Sequence, residues 1–252
     1  MRFGFCVPAE QSAIISGLGY DYLEWPLAVT LSNPVDELAV NDLAIKPEAF
    51  NVFLPGDLKV VGEDVDQEAQ TRYLQKAFAY AASVGGKIVV FGSGRSRGVP
   101  EGFSRLEAAR QTLDFLRLCA PLAAAHGVTV AIEPLNRGEC NSINSVAEAC
   151  GIAEEVAHPA LGVLSDLYHV TVERQSFDET RAAGTRLKHI HVAGAEGRRV
   201  PNGLDLEYLA RFFAVLKESG YAGRVSVEGT IQDLPREAEE ALDVLHRAWE
   251  MS

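Results

Sequence analysis

Glu133, Asp166, His191 and Glu228 each stand at the carboxyl end of a short apolar run rich in β-branched residues, in the segments TVAIEPLN, LGVLSDLYH, LKHIHVAG and RVSVEG. Three carboxylates and one imidazole make a donor set for one divalent cation. Such a set suits Mn²⁺ first, with Mg²⁺, Co²⁺ or Zn²⁺ also accommodated, and leaves coordination positions for water and substrate oxygens. A cation held against a carbonyl and a neighbouring hydroxyl would stabilise the enediolate that forms when a proton beside the carbonyl is removed. Glu133 and Glu228 are the candidate acid/base pair, one taking the proton and the other returning it with inverted configuration. Return to the same carbon is epimerisation, and return to the neighbouring carbon is aldose–ketose isomerisation. Each position also has a plainer reading: a carboxylate at a strand end can cap the next helix, and a lone histidine in a strand is usually a packed core residue. Four such groups ending four successive runs argue for a shared site, because buried charge needs a partner or a metal. His189 and His191 flank one residue and share a face, so spacing leaves open which of them meets the cation.

Residues this far apart meet only if the elements carrying them converge. Short β-branched runs at 2–7, 21–25, 50–54, 87–91, 128–133, 161–166, 187–192 and 224–228 alternate with helical patterns at 68–84, 104–126, 144–157, 205–219 and 236–251. The segments after the first, second and sixth runs are less clear. This alternation is that of βα units on a parallel sheet. Eight runs predict an α/β fold, a closed (β/α)8 TIM barrel, as a single domain over residues 1–252. Ser104 and Glu107 have capping-box spacing, and Leu206, Leu209, Phe212, Phe213 and Leu216 form one apolar stripe. The irregular stretches 26–34 and 92–102 follow strands and would decorate the face where barrel active sites form. Glu24 and Trp25, ending the second run, are expected to line the substrate pocket, with an aromatic cap on the barrel core as the alternative. The stretch GSGRSRG at 92–98 reads as a flexible turn rather than a phosphate cradle, since no P-loop lysine follows it. His126, His158 and His246 lie near helix ends or in the last helix and take no catalytic role.

Composition narrows the partners. A formal net charge of −12 disfavours a nucleic-acid partner, which needs clustered Lys and Arg. Cys6, Cys119, Cys140 and Cys150 show no paired metal-ligand spacing and read as reduced thiols. No apolar run approaches the ~18 residues needed to span a bilayer, and the opening MRFGFCVPAEQ lacks the apolar stretch of a signal peptide. A cytoplasmic protein without membrane partners is expected.

The motifs AIEPLNRGECNSINS, SDLYHV, HIHVAG followed by RRVPNG, and VSVEG resemble those of the sugar isomerases and epimerases with a xylose-isomerase-like barrel, including the D-tagatose and D-psicose 3-epimerases. The likeness covers nearly the whole chain. It implies that Glu133, Asp166, His191 and Glu228 are the metal ligands, with the second His of HIH in the ligand position. It further implies that Glu139 and His169 contact the sugar, and that Arg198 or Arg199 matches the family's arginine, one residue further along than usual. Hydroxypyruvate isomerases and dehydroshikimate dehydratases of the superfamily tend to carry Gln where this chain has His191, which leans the resemblance towards ketose epimerases. The expected protein is a divalent-metal-dependent ketose epimerase or isomerase acting on a small polyhydroxylated substrate, as a homodimer or tetramer. An inosose-type dehydratase using the same site and a non-catalytic sugar-binding barrel are the alternatives. The superfamily's abasic-site endonucleases need more metal ligands than this chain assembles.

Overall fold

Runs rich in β-branched and aromatic residues form the strands of the computed structural model, which describes residues 1–194 and 196–252 apart from the side chains of Glu37 and Leu38. Among the described residues these are β1 (Arg2–Cys6), β2 (Tyr22–Pro26), β3 (Pro47–Asn51), β4 (Ile88–Phe91), β5 (Thr129–Ile132), β6 (Leu161–Asp166), β7 (Leu187–Val192) and β8 (Arg224–Val227). All pair in parallel and in sequence order, and β8 closes onto β1 through Arg2↔Arg224 to Phe5↔Val227. The expected (β/α)8 barrel is therefore present.

Seven strands lie within a residue or two of their expected bounds, but the third begins three residues earlier than the apolar run at 50–54. Val52 turns out of the strand with φ 45°, and Phe53 and Leu54 are buried in the loop beyond it. Phe53 packs on Phe78 and Phe91 with ring centroids 5.5 and 6.4 Å apart. Burial in a loop thus mimicked a strand, and the shift places Asn51 at the end of β3.

Helices Gln67–Ser83, Arg105–Ala125, Val146–Val156, Leu206–Glu218 and Leu234–Met251 surround the barrel. Short helices fill the less clear segments, among them Ser12–Ser16, Leu27–Ser32 and Leu167–Val172. Ser104 caps its helix by accepting from the Glu107 amide at 3.3 Å, while the Glu107 carboxylate turns to Arg110 instead of closing the box. Leu209, Phe212, Phe213 and Leu216 of the apolar stripe are fully buried against the sheet, at roughly 1.5–3 kcal/mol for each large side chain. No described helix is long and apolar enough to cross a membrane.

Two separate cores result. The larger fills the space between barrel and helices, and the smaller lies inside the barrel, built by Tyr22, Ala49, Ile88, Val90, Ala131 and Leu164. A Cβ at Gly4 would sit 2.3 Å from the Tyr22 ring, so glycine there makes room for the tyrosine within the barrel. Near the amino ends of the strands, Glu48 accepts from Arg2 and from Arg224, and both guanidiniums stand over the Tyr22 ring at 5.7 and 5.9 Å.

Candidate metal centre

At the opposite end, β6 and β7 carry Asp166 and His191 into the barrel mouth, while Glu133 and Glu228 stand one residue past β5 and β8. One donor atom from each of these four lies within 4.8 Å of the others. Bonds of about 2.0–2.2 Å from one ion would bring such atoms to within roughly 4.4 Å of each other, so a small closure completes a shell. His191 presents Nδ1 at 3.3 Å from both Glu133 Oε1 and Glu228 Oε2. Its neighbour His189 lies deeper, facing Glu24 at 2.7 Å. The geometry thus picks His191 from the pair that strand spacing left open.

Asp166 does two things. Its Oδ1 caps the helix Leu167–Val172 by accepting from the Tyr168 amide at 2.7 Å, and its Oδ2 is buried without a hydrogen-bond partner. Such an orphaned oxygen is costly unless something positive meets it. Burial, with the nearby Glu228 charge, pushes the Asp166 carboxyl up to about 6, and burial likewise raises Glu133. Burial would raise Glu228 as well, but His191 and Arg198 hold it at about 2. A donor set of crowded carboxylates with one oxygen unmatched fits a divalent cation.

Small residues and one arginine hold this arrangement. A Cβ at Gly92 would fall 2.2 Å from Glu133 Oε2, so the strand end after β4 must lack a side chain to admit the carboxylate. Arg97 is fully buried and donates to the carbonyls of Gly92 at 2.5 Å and Glu133 at 2.8 Å, and to that of Ser142. One of the two arginines of the 92–98 turn is therefore a brace between loops, in line with the turn reading of that stretch.

The expected sugar contacts divide. His169 Nδ1 accepts from the Asn136 amide at 3.2 Å and lies 2.9 Å from Asn136 Nδ2, which places its proton on Nε2. That Nε2 is buried, has no hydrogen-bond partner and stands 3.6 Å from Asp166 Oδ2. Arg198, at φ 50°, donates to Glu228 at 2.6 Å and to Glu139 at 3.2 Å, whereas Arg199 turns away to Asp205. Of the two arginines the spacing allowed, Arg198 is the one at the cluster. A cleft of ≈ 570 Å³ opens over these groups, lined by Asn51, Glu133, Glu139, Arg198 and Glu228 on its polar side and by Val52, Leu54 and Leu135 on its apolar side.

Trp25 and Glu24 do not line that cleft. The Trp25 ring is fully buried in the outer core, edge-on to Phe50 at 6.3 Å, with its indole N–H donating to Ser12 Oγ. The reason is strand alternation: Trp25 and Glu24 are adjacent and must face opposite sides. Glu24 faces inward but is fully buried beneath the cluster, 2.9 Å from His191 Nε2. Cys6 is close to the same pair, in which Glu24 and His191 are bonded to each other. Asn51 and Asn136, which sequence reasoning passed over, hold Glu228 at 2.6 Å and Glu139 at 2.8 Å. Asn136 lies within the quoted AIEPLN motif, whereas Asn51 was hidden by the misplaced third strand.

A closed barrel with an acid-rich, single-imidazole mouth defines a class that comparison makes explicit. The family model for the xylose isomerase-like TIM barrel matches residues 13–248, and the chain belongs to that family. An L-ribulose 3-epimerase of Methylomonas sp. (strain DH-1) is 28% identical over 222 residues, 83% of this chain and 74% of the relative. A probable ketose 3-epimerase of Synechocystis sp. is likewise 28% identical over 83% of this chain and 74% of its own length. The match to the D-psicose 3-epimerase of Agrobacterium fabrum is 34% identical but spans 40% of this chain and 35% of that protein. Among solved structures, D-psicose 3-epimerase in the presence of D-fructose superposes with TM-score 0.85 at 19% identity, covering 98% of this chain and 97% of the other. The IOLI protein with a bound zinc atom superposes with TM-score 0.71 at 19% identity over 98% and 96%. These superpositions show the shared fold.

Proposed function

We propose that this chain is a divalent-metal-dependent ketose 3-epimerase, with Glu133, Asp166, His191 and Glu228 as ligands and Glu133 and Glu228 as the proton-moving pair. The observation that carries it is the Asp166 Oδ2 without a hydrogen bond inside a four-donor cluster whose Glu133 and Glu228 line an open cleft. Relatives that are ketose 3-epimerases, and the fold-mate with bound zinc, support the same reading. Mn²⁺ remains the favoured ion for an oxygen-rich set with one nitrogen. The ion would supply Lewis-acid polarisation of a ketone and its neighbouring hydroxyl.

The rest is the work of the chain's own side chains. One glutamate of the pair removes the proton beside the carbonyl, and the other delivers one to the same carbon. Asn51 and Arg198 fix the Glu228 carboxylate through both of its oxygens. The His169 Nε2–H and Glu139 bind substrate hydroxyls, and Leu54 and Leu135 keep water from part of the cleft. Incubation of the Mn²⁺-loaded protein with ketoses in deuterated water tests this: deuterium should appear at C3 together with the epimer. Absence of exchange across a broad ketose panel sinks the proposal.

A lyase reading draws on the same imidazole. The unpartnered His169 Nε2–H could donate a hydrogen bond to a departing hydroxyl, as in an inosose-type dehydratase. Ultraviolet absorption of an enone product would distinguish it from epimerisation.

A further inference from the structure

We infer that Glu24 is a positioning residue for the cation, holding His191 in the tautomer that turns the Nδ1 lone pair towards Glu133 and Glu228. The inference rests on the metal reading above. Glu24 is fully buried, and three groups converge on its carboxylate: His191 Nε2 at 2.9 Å from Oε1, with His189 Nε2 at 2.7 Å and Ser226 Oγ at 2.5 Å from Oε2. An ionised carboxylate can only accept, so each of these contacts places its hydrogen on the partner.

Proton accounting then closes along the chain of contacts. Ser226 spends its one hydroxyl hydrogen on Glu24, so the Tyr22 hydroxyl, 2.8 Å away, donates to Ser226. His189 carries its proton on Nε2, and its buried Nδ1, which has no partner, is a bare lone pair rather than a stranded N–H. His191 carries a proton on Nε2, and a bound cation would take the place of any proton shared between its Nδ1 and the Glu133 and Glu228 carboxylates 3.3 Å away. The opposite tautomer would set a lone pair against the Glu24 carboxylate and aim an N–H at the place where the ion belongs. Glu24 is not among the residues lining the cleft, and neighbouring interior positions such as Ala49 and Leu164 are filled by apolar side chains. A carboxylate buried behind a metal-binding imidazole fixes ring orientation and tautomer, and its loss costs about 10- to 100-fold in metal affinity.

The experiment titrates Mn²⁺ into the metal-free protein by calorimetry and reads the histidine tautomers from ¹⁵N spectra, for the wild type and for Glu24→Gln. The wild type should bind one Mn²⁺, and with diamagnetic Mg²⁺ in its place, the state in which the tautomers are compared, it should show His191 as the Nε2–H form. In Glu24→Gln the amide offers an N–H to one imidazole, so affinity should fall about 10- to 100-fold and a histidine should move to the Nδ1–H form. Equal affinity in the folded variant, or Nδ1–H at His191 in the wild type, overturns the role of Glu24 while leaving the metal site standing. A wild type that binds no divalent cation overturns the metal reading and this inference with it. If Glu24→Gln does not fold, the wild-type tautomer decides: Nε2–H supports the role, and Nδ1–H refutes it.

Discussion

The two mouths of the barrel both gather charge, but they balance it differently. At the amino ends of the strands one carboxylate, Glu48, is shared by two guanidiniums, Arg2 and Arg224, whose remaining charge is spread over the Tyr22 ring. At the carboxyl ends, three carboxylates crowd around His191 and Arg198, and Asp166 Oδ2 accepts no hydrogen bond among the described residues, His169 Nε2 and the Arg198 guanidinium standing off at 3.6 and 3.9 Å. The first arrangement is electrostatically complete within the chain and serves to close the barrel. The second is incomplete within the chain, and under the proposed function a cation would complete it. Under the proposed function the same fold keeps stability and chemistry at separate ends, as barrels commonly do.

Breaking the incomplete end should give the largest effect, and on rate rather than on folding. Glu228→Gln is expected to lower kcat by about 10²–10⁴, the usual worth of a positioned acid or base. The metal-free melting temperature of Asp166→Asn should hold or rise, because burial and the nearby Glu228 charge already push that carboxyl up to about 6. A steady-state assay beside a thermal melt reads both, and a large fall in stability would contradict the contrast between the two ends. Next, Mn²⁺ at about a hundredfold over its Kd should stabilise the fold by about 2.7 kcal/mol. Chelation should reverse that gain and Asp166→Asn should abolish most of it, both visible as shifts in Tm.

The complete end should respond the opposite way. Glu48→Gln weakens a carboxylate shared by two arginines and should cost about 1.5–3 kcal/mol in denaturant unfolding, the scale of hydrogen bonds to charged groups. The kcat of the folded fraction should stay unchanged, and a parallel loss of rate would mean the two ends are coupled. The smallest effect is expected from Trp25→Phe, which deletes the bond to Ser12 and some outer-core volume, for about 1 kcal/mol. KM should not move, whereas a changed KM would return Trp25 to the substrate pocket.

How much of this was legible in sequence depended on whether a residue's role follows from its strand position alone. The barrel was legible because apolar β-branched runs and helical stripes alternate from end to end, and the cluster because its members close four successive strands. β3 was misplaced because Phe53 and Leu54 are as buried as strand residues while their backbone is not in the sheet. Glu24 was recognised as a strand-end carboxylate, but its depth depends on the stagger of neighbouring strands, including the irregular register between Leu23 and Glu24. Arg198 could not be separated from Arg199 by counting, since its selection rests on a positive φ that turns it towards Glu228 while its neighbour turns to Asp205.

Tyr22 stops the barrel from the inside, its ring against Gly4, its hydroxyl on Ser226 and two guanidiniums close beside it. Among the described residues the barrel axis is thus blocked below the cleft, and under the proposed function substrate and product would share its open side. Turnover should accordingly slow as product builds up, in a purely competitive pattern.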